Sequence, residues 1–317
     1  METLTVRQVS HLLRVQERTV LAWVKQKLLV AQEGREVGRQ KQLLVEVECL
    51  RETFGEAIDD FLEASARGRS VPSPYLLAGE VAHLFRVSVY TVSRWLQKKV
   101  LTGTAISQHL LIEKSALVEL YGEGVARYIA ELEQGWEPVS PFLSIEETAA
   151  LFQIQPRTVV RSWIKRNILP ALAVTTHAVV EKEPLIKQYG QEVEWYITAL
   201  ERGEKVSSPF LDIKQAARLF RASEQTLRIW VKNGTVPGHI VSGEFFITKA
   251  PLIQRYGREV ERYIAVIERG KNPRSPFFTV QEMAAMWKVE ERDVIDAIHK
   301  REIKAIKIGL HYLIPAQ

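Results

Sequence analysis

Arg18, Leu21 and Lys25 stand at positions i, i+3 and i+7. The same spacing recurs in Tyr90, Ser93 and Gln97, in Gln225, Arg228 and Lys232, and in Arg292, Ile295 and His299; Arg157, Arg161 and Lys165 are the corresponding choice in a stretch with one extra residue. On a helix such positions share one face. Guanidinium and ammonium groups aligned there can donate to phosphate oxygens or to guanine O6 and N7, and glutamine can pair with adenine. Arg94 stands beside Ser93 on the same stretch. A second class of cation lies in hairpin-like segments: Arg35, Arg39 and Lys41 around Gly34 and Gly38, and Lys304 and Lys307 before Gly309. Basic hairpins hold a nucleic-acid backbone or enter the minor groove. The counterparts at 102–110 and 170–180 are nearly uncharged, which fits a purely structural hairpin. Asp293 and Asp296 flank the last set and would repel phosphate.

No constellation for catalysis stands beside these cations. The seven histidines are scattered without a His-x-x-x-His pair, and the single cysteine, Cys49, excludes cysteine-rich zinc sites and intrachain disulfides. The Gly34–Gly38 segment lacks the Gly-Lys-Ser/Thr of a phosphate loop. The reading is therefore not an enzyme, with no catalytic residue, metal or cofactor. No stretch approaches the ~18 apolar residues of a membrane span, and the first residues carry no secretory leader, so a cytoplasmic, nucleoid-associated protein is expected. The net charge of +5 is uneven. Residues 209–275 hold twelve basic against six acidic residues, and residues 4–45 hold eight against three. Such basic regions attract phosphate.

The elements that must position these residues are set by repetition. Five similar blocks begin at Leu4, Leu76, Leu143, Leu211 and Phe278, a nearly constant interval that marks one structural unit used several times. Their bounds are 1–73, 74–140, 141–208, 209–275 and 276–317. Each opens on a helix with small residues at its middle (Ser10, Ala82, Ala149, Ala217, Ala284), as close crossing by a second helix requires. Thr5/Gln8, Ser144/Glu147, Asp212/Gln215 and Thr279/Glu282 have capping-box spacing, which Leu77 denies the second block. A tight turn follows, with Ser88 and Ser223 placed to cap the next helix and Pro156 suited to its first turn. That helix carries a Thr-Val-x-x-Trp pattern, as in Thr19 to Trp23 and Thr91 to Trp95, with Thr226 to Trp230 a variant; the fifth block has Ala297 in place of the tryptophan. The tryptophans are expected in the core. Two short strands then form the hairpin.

A second constant segment closes the first four blocks. Phe54-Gly55, Tyr121-Gly122, Tyr189-Gly190 and Tyr256-Gly257 open a helix that Gly68, Gly135, Gly203 and Gly270 end, and a Ser-Pro pair follows at Pro74, Pro141, Pro209 and Pro276. Constant length implies neighbours packed at fixed geometry, as in a solenoid. Tyr128/Ile129, Tyr196/Ile197 and Tyr263/Ile264 either join the blocks or complete each block's own core.

The run T-x-x-E-A-A-x-L-F-x-V-S-x-x-T-V-x-x-W, with a hairpin ending in Ile-Pro, resembles the winged helix-turn-helix of the MerR superfamily, nearest its excisionase and BldC-like branch. The resemblance covers the opening part of each block, from the first helix to the hairpin. It implies a mainly α fold with small β wings: five tandem winged helix-turn-helix modules joined by short Gly…Ser-Pro linkers. It also implies major-groove reading by the second helix and wing contacts to the flank. Arg18, Arg157, Arg161 and Arg228 match the helix role, and Arg39, Lys41, Lys304 and Lys307 the wing role. The family often has glycine at the turn, where this chain has Arg14, Arg86, Gln153, Arg221 and Lys288. The long coiled coil and effector domain of full MerR regulators are absent, and no small-molecule effector is evident. The expected partner is double-stranded DNA, with other proteins or self-association along DNA as further partners. The expected role is transcription regulation, or architecture and recombination, over on the order of 50 bp at ~10 bp per module. The competing reading is a protein-interaction scaffold of degenerate helix-turn-helix repeats, which the acidic fifth helix and charge-poor second and third wings favour.

Overall fold

A computed structural model of the chain describes residues 2–37, 40–155 and 158–316; of residues 35–37, 40 and 41 it describes the backbone. The chain is about half helical, with small three-stranded antiparallel sheets. It divides into two compact units, Met1–Leu143 with Leu172–Val179, and Ser144–Ala171 with Val180–Gln317. No helix among the described residues is long and apolar enough to cross a membrane.

The second repeat shows the order of elements. A lead strand Tyr75–Leu77 enters a first helix Ala78–Leu84 and a second helix Val89–Gln97. A hairpin follows, Gly103–Ile106 and His109–Glu113, then a third helix Lys114–Tyr121 and a fourth Glu123–Glu133. The lead strand pairs with the second hairpin strand, Leu76 opposite Ile112, and Gly103 stands opposite Ile112 on the other side. Neither the lead strand nor the third helix was apparent from the sequence. The third and fourth helices share one glycine, Gly122, at φ +77, in the left-handed region open to glycine without steric cost. The first repeat spells the same order, with Thr3–Thr5 as lead strand, Val6–Leu12 and Glu17–Lys25 as the first two helices, and Ala31–Val37 with Gln40–Glu46 as hairpin.

First helices begin where expected. All four capping boxes form, as in Ser144, whose Oγ accepts from Glu147 N–H (3.1 Å) while the Glu147 carboxylate accepts from Ser144 N–H (2.8 Å). The second repeat corrects the expectation in part: Leu77 offers no acceptor, yet Glu80 still accepts from Leu77 N–H at 2.8 Å. Ser88 and Ser223 cap their second helices by accepting from Thr91 and Thr226 N–H. The proposed role of Pro156 lies outside the described residues.

Within each unit, consecutive repeats are fused through the sheet. Strand side chains alternate between faces, and both faces of these sheets are covered. Leu76 and Ile112 enter the core of the second repeat, whereas Tyr75, Ile106 and Leu111 enter that of the first. In the second unit, Phe277, Ile308 and Leu313 likewise complete the core of the fourth repeat, while Ile314 serves the fifth. The Ser-Pro serines lock these junctions. Ser73, Ser140, Ser208 and Ser275 donate to the carbonyls of Leu12, Leu84, Leu151 and Leu219, the last residues of the preceding first helices, at 2.5–2.6 Å. Each hydroxyl also accepts from the N–H of the lead aromatic two residues on. Tyr128, Ile129, Tyr263 and Ile264 instead fill their own repeats' cores, and Tyr128 and Tyr263 donate to the carbonyls of Glu80 and Gln215 in their own first helices.

The turn between first and second helices explains the missing glycine. Arg14, Arg86, Gln153, Arg221 and Lys288 all adopt φ of +51 to +58, which costs a residue with a Cβ roughly 1–2 kcal/mol. Four of these side chains reach the next repeat. Arg14 pairs with Glu80, Arg86 Nε donates to Phe142 O (3.0 Å), Gln153 Nε2 donates to Phe210 O, and Arg221 pairs with Glu282 (3.2 Å). A glycine would relieve the backbone and lose the link.

Candidate nucleic-acid interface

On the second helices the alternation of burial fixes which residues face outward. Val20 and Trp23, Val92 and Trp95, Val160 and Trp163, and Leu227 and Trp230 are buried, the tryptophans to 2–5 % exposure. They pack on the first helix, so the opposite face is left to polar residues. Arg18, Leu21 and Lys25 are exposed together on Glu17–Lys25. In the second repeat Tyr90 and Gln97 are exposed and Ser93 half-buried; Arg94 is exposed with its guanidinium 6.0 Å from the Tyr90 ring centroid.

The third repeat corrects the register. Val160 and Trp163 take the buried places, so the outward i, i+3, i+7 set on Thr158–Lys165 is Thr158, Arg161 and Lys165, all exposed. Arg157, chosen from the sequence, lies outside the described residues. In the fourth repeat Gln225 and Lys232 are exposed on Glu224–Lys232. Arg228 is half-buried: it pairs with Glu224 at 3.2 Å and lies 5.9 Å from the Phe245 ring centroid. It is thus already engaged within the chain. On Glu291–His299, Arg292, Asp293, Asp296 and His299 are exposed.

The hairpins are short. Those of the second to fifth repeats turn through two residues, at Ser107-Gln108, Thr175-Thr176, Ser242-Gly243 and Gly309-Leu310, the first of each pair at positive φ. Lys304 and Lys307 are exposed but lie below the turn of the fifth hairpin, with Lys307 Nζ 5.6 Å from the Tyr312 ring centroid. The cations predicted for the first hairpin divide: Arg35 and Lys41 lie on its strands Ala31–Val37 and Gln40–Glu46, their side chains outside the description, and Arg39 lies outside the described residues.

Sequence reasoning missed residues that the fold brings to the second helices from the following repeat. A cleft is lined by Arg18, Ala22 and Gln26 on one side and Ser107, Gln108 and His109 on the other. His109 and His177 meet Trp23 and Trp95 edge-on at 5.4 and 5.7 Å. In the second unit His311 meets Trp230 at 5.3 Å, and Arg166 donates to Ser242 Oγ at 2.9 Å. The histidine at the start of three second hairpin strands was the available signal. No family model matches the chain, and no curated protein is significantly similar to it; the resemblance rests on the motifs of the repeats.

Proposed function

We propose that this protein binds double-stranded DNA, with the second helices of several repeats lying in successive major grooves. In this reading the strand–helix–helix–hairpin repeats are tandem winged helix-turn-helix modules of MerR and excisionase type. The protein then acts as a transcription regulator or as an architectural or recombination factor. The observation that supports it most is the shared division of the second helices: one face buried on a Val/Leu–Trp pair, the other exposing Arg18 and Lys25, Arg161 and Lys165, or Gln225 and Lys232. A helix held by one face and carrying donors on the other suits base-edge and phosphate contacts. The pairing of Arg228 with Glu224 and the exposed Asp293 and Asp296 favour the second reading, a protein-interaction scaffold.

Selection from a pool of random duplexes of ~60 bp, long enough for five modules at one helical turn each, separates the two when run at low and physiological salt. DNA binding predicts retention of a defined motif at physiological salt, abolished by Arg18→Ala with Lys25→Ala. Retention that is unselective and vanishes with salt would mark backbone binding alone. No retention at low salt would leave the scaffold.

A further inference from the structure

Granted DNA binding, which this inference rests on, the conventional module reads with a helix and the hairpin of the same repeat. The junctions here bring a different pair together. The turn of the second hairpin lies along the flank of the first repeat's second helix, beside its outward Arg18, where Gln108 and His109 share a cleft with Arg18, Ala22, Trp23 and Gln26. The arrangement recurs at each junction within the units. Trp95 carries His177 on its edge, Arg166 holds the hairpin turn of the fourth repeat through Ser242, and Trp230 carries His311. Gly309, in the fifth hairpin turn, sits so close to the fourth repeat's second helix that a Cβ there would lie 3.0 Å from Trp230 Nε1.

We infer that each DNA-reading surface is a composite of two repeats, the second helix of one and the hairpin of the next. The pairing accounts for two features that five self-contained modules leave unconnected. The tryptophan is present on the four second helices that a following hairpin covers, and the fifth has Ala297. The exposed carboxylates Asp293 and Asp296 stand on that fifth second helix, against which no neighbouring hairpin packs among the described residues. The fifth hairpin packs into the fourth repeat's core through Ile308 and Leu313 and brings its turn at Gly309 to Trp230, whereas Lys307, alternating with Ile308 on the strand, lies over Tyr312, whose hydroxyl bonds His299 of the fifth repeat's own second helix.

Directed cleavage of a duplex retained from the random pool tests this on the full chain. In a Cys49→Ser background, single cysteines replace exposed residues on the first repeat's helix (Glu17→Cys), on the second hairpin turn (Gln108→Cys) and on the second repeat's helix (Val89→Cys), and each is coupled to iron-EDTA. Cuts from position 108 are expected within about 3 bp of those from position 17, and displaced by up to a helical turn, ~10 bp, from those of position 89. Cuts from 108 that coincide with those of 89, or are missing while 17 and 89 cut, would overturn the composite and leave DNA binding standing. If no duplex is retained, DNA binding itself has failed and the composite with it. As a second measurement, Gln108→Glu is expected to weaken binding several-fold on the selected duplex, an effect lost when the base pairs cut from position 17 are randomised. Loss of the effect on randomising the pairs cut from position 89 would overturn the composite equally.

Discussion

Replacing Ser140 with alanine isolates the contribution of a junction. The Ser140 hydroxyl is buried, donates to Leu84 O at 2.6 Å and accepts from Phe142 N–H at 3.1 Å. The Leu84 carbonyl belongs to the last turn of its helix and has no intrahelical partner of its own. Ser140→Ala deletes both bonds and adds no bulk, leaving a buried acceptor and a buried donor unpaired. Each costs about 1–3 kcal/mol, so a loss of roughly 2–6 kcal/mol is expected, against about 0.5 kcal/mol for an exposed control such as Ser70→Ala. Urea unfolding followed by tryptophan fluorescence reads this as a lower midpoint. With a slope near 2 kcal/mol per molar for the affected repeats, the shift is on the order of 1 M or more. Because repeat arrays can unfold in segments, hydrogen exchange at the Phe142 amide supplies a local readout and is expected to accelerate. A midpoint no lower than that of the Ser70→Ala control, with Phe142 still protected, would refute the claim that the serine locks the two repeats together.

Gln153→Ala is expected to be about 1 kcal/mol less stable than Gln153→Gly in the same unfolding assay, because both lose the bond to Phe210 O but only glycine is relieved at φ +52. Glu224→Ala frees Arg228 from its ion pair and is expected to tighten DNA binding two- to five-fold, the scale of a surface pair; equal or weaker retention would mean that Arg228 does not face the duplex. Burial pushes the His239 imidazole below its ordinary 6.5, against the opposing charge of Glu192, and its ring lies on Tyr189 and Phe210. Below about pH 6.5 the unfolded chain therefore binds more protons than the folded one, so stability should fall as pH drops through 6.5 and level off beneath the folded pKa. His239→Phe should flatten that part of the curve, as read from urea midpoints between about pH 7.5 and 5.

What the sequence determined by itself is local and periodic. Capping pairs act over three residues and the Val–Trp pairs over one helical turn, so the first and second helices, their buried faces and most of the outward residues were legible without coordinates. The constant distance between repeats also announced fixed packing. The junctions were decided only in three dimensions. A side chain on a strand shows its alternation in the sequence, but not which body covers each face, so nothing local assigns Tyr75 or Leu111 to the preceding repeat. The turn residues Arg14, Arg86, Gln153 and Arg221 read as departures from glycine until their partners, each in the following repeat, explained the strain. The register of the third repeat's second helix was settled by burial of Val160 and Trp163, because spacing alone does not place one inserted residue. The neighbouring hairpin reaches the second helices of the first four repeats through the same long-range packing, which no spacing within a single repeat encodes.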